Sequence, residues 1–125
     1  MKATWSFLAA LSVAGVVAAA NPAAAAGDAA AGEKIFNQCK ACHTIEPGKN
    51  RVGPSLHGVV GRKAGSIDGF AYSDGVKKSG LTWDEANLDK WLTDTKAVVP
   101  GNKMSFSLKD PKAREDVIAY LKTQN

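Results

Sequence analysis

Sulfur and imidazole are scarce in this chain, which has two cysteines, two histidines and two methionines, one of them the initiator. So few donors exclude a four-cysteine zinc site and a disulfide-dense scaffold. No run reaches the about 20 apolar residues that a helix needs to cross a bilayer. Strand-like alternation of any length is absent, and so are internal repeats. Aromatics are 7% of residues and do not interleave with a basic stretch. The net charge of +4 is too weak to imply a nucleic-acid partner. What is present is 125 residues, 45% hydrophobic and 22% charged. That suits one soluble globular domain; it is too short for two and too apolar for a disordered tail.

The composition is uneven, and residues 1–26 explain why. Met1-Lys2 is a short positive start, and Phe7 to Ala20 is apolar apart from Ser12. Asn21-Pro22 and the run Ala23 to Ala26 follow. This is the pattern of a cleavable secretory signal peptide. The preferred cut falls after Ala26, and a cut after Ala20 is the competitor. An uncleaved anchor is the other reading, but the apolar segment is only 14 residues long. Lys2 is the leader's one charge, so residues 27–125 keep 15 basic and 12 acidic residues, net +3. Export implies the periplasm, an oxidising place where two thiols need a use.

Asp28 caps a helix from Ala29 to Phe36, in which Gly32 suits a close helix crossing. From Cys39 to Gly69 the chain is punctuated by Pro-Gly, Gly-Pro and single glycines, and no period persists. Loops this long in a small domain need something to wrap around. Three more helices are expected. Ser73 caps a short one, Thr82 and Glu85 form a capping box for the next, and Asp110-Pro111 opens the last. The expected fold is all-α, with short helices and long loops around one bound cofactor. A chain this small, with so many glycines, is marginal on side chains alone.

Cys39-Lys40-Ala41-Cys42-His43 is C-x-x-C-H, the attachment signature of covalently bound haem c. On a helical turn, positions i and i+3 share a face, so two thiols reach the two vinyl groups of one porphyrin. His43, beside the second thiol, offers a neutral imidazole to the iron. A thioredoxin-like pair would need a βαβ context, which is missing. A zinc site would have to recruit His57, carboxylates or Met104. The candidates for a second axial ligand are Met104, His57, a lysine or none. Met104 lies in Val99-Pro100-Gly101-Asn102-Lys103-Met104-Ser105-Phe106, whose turn-forming surroundings suit a presented side chain. His57 follows His43 too closely to cross readily to the other face. Met104 is therefore preferred over gap-filling by a core methionine. A soft thioether favours ferrous iron, raises the potential and leaves no open position for substrate.

With these residues in view, the chain resembles class I cytochrome c of the bacterial cytochrome c2 type, similar to mitochondrial cytochrome c. The resemblance runs from Gly27 to Asn125. It rests on Gly32, Phe36, C-x-x-C-H-Thr44, the stretch from Gly53 to Gly65, Gly69 to Asp74, Leu81-Thr82-Trp83, Val99 to Phe106 and Ile118 to Lys122. It implies an electron carrier rather than an enzyme. It also implies that Pro54 offers its carbonyl to His43, and that Arg62, Tyr72 and Trp83 balance a buried propionate. Phe106 would cover the haem edge, and Gly32 and Phe36 would pack near Val117 and Tyr120. Trp91 stands near the sulfur where mitochondrial relatives have tyrosine, and Val76 replaces a polar residue near the haem. A peroxidase-like enzyme, with Met104 off the iron, is the reading from another class. A membrane-tethered version of the carrier is the third.

No acidic residue lies between Asp94 and Asp110, while Lys96, Lys103 and Lys109 do. With Lys40 and Lys49 they are expected to steer transient docking to acidic membrane electron-transfer complexes. Family analogy gives a cytochrome bc1 complex as donor and an oxidase or photosynthetic reaction centre as acceptor. A monomer is expected.

Overall fold

The computed structural model describes Gly15 and residues 27–125; the signal-peptide reading of residues 1–26 lies outside them, apart from Gly15. Asp28 opens the first helix as its position predicts. Its carboxylate accepts the N–H of Ala30 at 2.9 Å and of Ala31 at 3.4 Å, which starts α1 (Ala29–Phe36). Ser73 caps α2 (Asp74–Lys78), its hydroxyl accepting from Val76 N–H. Asp110 caps α5 (Pro111–Lys122), with Pro111 in the first turn, where its missing N–H costs nothing. Between them lie α3 (Glu85–Thr93) and α4 (Thr95–Val98). No strand forms among the described residues; Lys63 and Thr82 make one isolated antiparallel bridge. The fold is the expected all-α class. No helix among the described residues is long and apolar enough to cross a membrane.

Two details differ from expectation. The helix α4 is additional, a single turn too short to leave a periodic signal. The Thr82–Glu85 capping box does not form. Asp84 caps α3 instead, its carboxylate accepting Asn87 N–H at 2.7 Å. Asp is the stronger N-cap and sits next to the helix, so it wins over Thr. Glu85 becomes the first helical residue and pairs with Lys122 of α5.

The terminal helices α1 and α5 cross closely, and Gly32 permits it. A Cβ on Gly32 would lie 1.9 Å from the Asp116 carbonyl oxygen and 2.9 Å from the Tyr120 Cβ. Phe36 meets Tyr120 with ring centroids 5.3 Å apart. Phe36, Val117, Ile118, Tyr120 and Leu121 are buried here, and Leu88 and Leu92 of α3 continue the core. Arg114, also buried, ties α5 to α3 through Asp89 at 2.7 Å. It also holds the preceding loop by donating to the Leu108 and Lys109 carbonyls.

Asp116 fastens α5 to the start of α1, accepting Asp28 N–H at 2.7 Å and pairing with Lys112. The Lys112 ammonium first, and then the Asp28 amide, hold this carboxyl below its ordinary value. A depressed carboxylate stabilises the fold fully above its unfolded-state pKa, and that contribution fades as pH falls through the lower folded value. The stability gap between the parent and Asp116→Asn is therefore expected to be constant near neutrality. It should shrink below about pH 4, the ordinary carboxylate range. Urea denaturation of the two holoproteins along a descending pH series measures it.

Candidate haem site

The backbone continues past α1 in tight turns. Cys39 N–H bonds to the Phe36 carbonyl at 2.8 Å, and Cys42 and His43 both donate to the Cys39 carbonyl, at 3.1 and 2.8 Å. This winding puts Cys39, Cys42 and His43 on the wall of one cavity of about 610 Å³. The thiols are not joined to each other. Burial, and then the neighbouring Cys42, push the Cys39 thiol up, so it stays protonated at neutral pH.

His43 is oriented from behind. Its Nδ1 lies 2.8 Å from the Pro54 carbonyl, which can only accept. Nδ1 therefore carries the proton, and Nε2 presents its lone pair. Burial drives the imidazole below its ordinary pKa, against the opposing pull of the Pro54 bond, and keeps it neutral. Gly53 closes the other side of the ring. A Cβ there would stand 2.2 Å from His43 Cε1.

Met104 arrives at the same cavity from a distant stretch of chain. His57 does not line it; its carbonyl accepts from the Arg62 guanidinium at 3.1 Å. Arg62 also donates to the Ser55 carbonyl at 3.0 Å and borders the cavity, its pKa lowered by burial. Tyr72 lines the cavity too, accepting Ile67 N–H at 3.2 Å and leaving its hydroxyl proton free to donate. Trp83 and Trp91 are buried cavity residues with ring centroids 5.1 Å apart. Phe106 and Val76 complete an apolar wall. All the predicted cofactor residues thus meet around one space. Its donor set fits a haem: two unpaired thiols, a neutral imidazole with Nε2 available, a thioether, and an arginine among aromatics. No cluster of three or more His, Cys, Asp or Glu able to hold a metal ion occurs among the described residues.

The cytochrome c family profile matches residues 29–125. The chain belongs to the cytochrome c family. It is 60% identical over 103 residues to cytochrome c2 of Rhodomicrobium vannielii, covering 81% of this chain and 82% of that one. Cytochrome c2 of Blastochloris viridis is 52% identical over 112 residues, 88% of each chain. The solved structure of cytochrome cH from Methylobacterium extorquens superimposes with a TM-score of 0.74 at 63% identity, over 78% of this chain and 99% of that one. Within the family the chain is class I, of the bacterial cytochrome c2 type. Members carry covalently bound haem c and transfer electrons rather than act as enzymes. With its one C-x-x-C-H, this cytochrome is a monohaem electron carrier.

Two functional positions escape a reading of the sequence. Thr95, with no exposed surface, and buried Asn102 hold the backbone of Met104. In the sequence Asn102 stands out only as part of the Pro-Gly-Asn turn, and no local pattern marks Thr95. Among the proposed docking lysines, all five are exposed. Lys103 sits on the cavity rim. Lys49 pairs with Glu46 at 2.5 Å on the exposed surface.

Proposed function

We propose that this cytochrome carries electrons in the periplasm with an iron held between His43 Nε2 and the Met104 sulfur. Cys39 and Cys42 would bind the haem through thioethers. The carrying observation is that both thiols, a Pro54-tethered imidazole and the Met104 side chain share one cavity. Haem supplies a one-electron ferric–ferrous couple when bound. The rest is work for the chain. Pro54 fixes the tautomer of His43 and raises its basicity. Arg62, Tyr72 and Trp83 direct donors toward a propionate. Trp91, Val76 and Phe106 exclude water, so oxidation-state changes meet little solvent reorganisation.

Residues 1–26 would direct export and then be removed; N-terminal sequencing of the protein from cells should begin at Gly27. Lys40, Lys96, Lys103 and Lys109 would steer encounters with acidic faces of membrane complexes, Lys49 less so. By family analogy the donor is a cytochrome bc1 complex and the acceptor an oxidase or a photosynthetic reaction centre. A small interface strengthened by charge suits a monomer that must leave after each transfer.

Optical spectra with a redox titration test the ligand set. The ferric protein should show low-spin iron and a sulfur-to-iron absorption band. Met104→Ala should abolish that band and lower the potential by on the order of 0.2 V, within the ~0.8 V span that axial ligands command. Five-coordinate resting iron in the parent would overturn the carrier reading in favour of a peroxidase-like enzyme.

A further inference from the structure

Met104 lies in a stretch with no regular secondary structure, yet both of its backbone polar groups are held by buried side chains. The Thr95 hydroxyl donates to the Met104 carbonyl and accepts Phe106 N–H at 3.4 Å. The Asn102 side-chain oxygen accepts Met104 N–H at 2.7 Å. The Asn102 amide in turn donates to the Thr95 and Val99 carbonyls, each at 2.8 Å. Thr95 begins α4, and Val99 follows its end, so the single turn α4 acts as a template. Nothing in the core needs a hydroxyl at Thr95; valine would fill the same space. A buried hydroxyl here has work to do only in holding the strip from Met104 to Phe106.

We propose that Thr95, together with Asn102, is a positioning residue that sets how often the Met104 sulfur leaves the iron. This rests on the ligation reading above. A ligand that needs the sixth position binds in proportion to the population in which that position is vacant. Losing the buried Thr95 hydroxyl takes the side-chain donor from the part-buried Met104 carbonyl in the attached state only, which shifts that population by about tenfold. Thr95→Ser keeps the hydroxyl and should behave nearly as the parent.

The experiment titrates ferric holoprotein with imidazole while following the sulfur-to-iron band. Thr95→Val is expected to bind imidazole about tenfold more tightly. Thr95→Ser should stay close to the parent, and the melting temperature alone does not decide. A Thr95→Val protein that melts lower but binds imidazole with unchanged affinity overturns the proposal, leaving threonine a merely structural role. If Met104→Ala also leaves the band and the imidazole affinity unchanged, the ligation reading itself has failed. A second measurement needs no variant. By linkage, saturating imidazole should strip hydrogen-exchange protection from the Met104 and Phe106 amides while α1 and α5 keep theirs. Protection that persists at those two amides also overturns it.

Discussion

The Cys39→Ala, Cys42→Ala double variant is expected to be purified colourless and without a cooperative thermal transition. The chain has two cysteines, both are the proposed covalent anchors for haem, and they stand on the wall of the cavity that haem would fill. Without haem the cavity of about 610 Å³ is open to water, and each large apolar side chain that lines it forgoes about 1.5–3 kcal/mol of burial. Over Trp83, Trp91, Phe106 and their neighbours that is comparable with the roughly 5–15 kcal/mol of net stability a domain possesses. The chain has no other way to close the gap. Its loops from Cys39 to Gly69 form no helix or strand of their own, and Trp83, Trp91 and Phe106 face the space from different segments. Collapse onto the cavity would have to displace α3, which carries Trp91, and pull away the strip after Met104, which Leu108 N–H ties to the Leu92 carbonyl of α3 at 2.7 Å. Circular dichroism during heating, together with a pyridine haemochrome assay, reads both halves of the expectation. A haem-free double variant that melts cooperatively at the parent temperature would show that side chains alone hold the fold.

The parts of this architecture legible in the sequence are those set by local chemistry. Asp28 and Asp110-Pro111 announce α1 and α5 because an N-cap needs only its own side chain and the next two or three amides. Gly32 could be assigned to a helix crossing because an apolar helix has few other reasons for a mid-helix glycine. C-x-x-C-H was readable because the spacing is itself the chemistry. What stayed hidden depends on distant partners. The Thr95 hydroxyl finds Met104 across an irregular loop, and no pattern around Thr95 announces it. The choice of Asp84 over Thr82 turned on which side chain met the first free amide. The charge of Lys49 is visible, but its ion pair with Glu46 depends on how the intervening Pro47-Gly48 turn folds. The long loops themselves pointed correctly to a cofactor, since their order comes from packing around a common space rather than from propensity.

Gly53→Ala should be the most damaging single methyl that this site can receive. Gly53 does not use the left-handed backbone region, so alanine meets no conformational penalty there, and only space forbids it. The added Cβ would stand 2.2 Å from His43 Cε1, 2.7 Å from Nδ1 and 2.8 Å from Nε2. Neither side can yield cheaply. Gly53 N–H is bonded to the Cys42 carbonyl at 2.8 Å, and its own carbonyl accepts from Arg51 at 2.9 Å. The next residue, Pro54, holds His43 Nδ1 at 2.8 Å. The imidazole must therefore swing away from the methyl, and this breaks the Pro54 bond that fixes its tautomer. Overpacking on this scale costs about 3 kcal/mol or more. At ~4–8 °C per kcal/mol for a domain this size, melting should fall by at least about 12 °C. The potential should drop with it, because under the proposed ligation the less well-oriented imidazole is the ligand that changes. Gly48→Ala is the control. It has a φ of 72° and nothing within 4 Å of the added Cβ, so it should lose only about 1–2 kcal/mol to backbone strain and keep the parent potential. Calorimetry and a redox titration on both holoproteins separate steric pressure on His43 from ordinary glycine strain. Equal losses in the two variants, with no change in potential, would mean that Gly53 does not set the position of the imidazole.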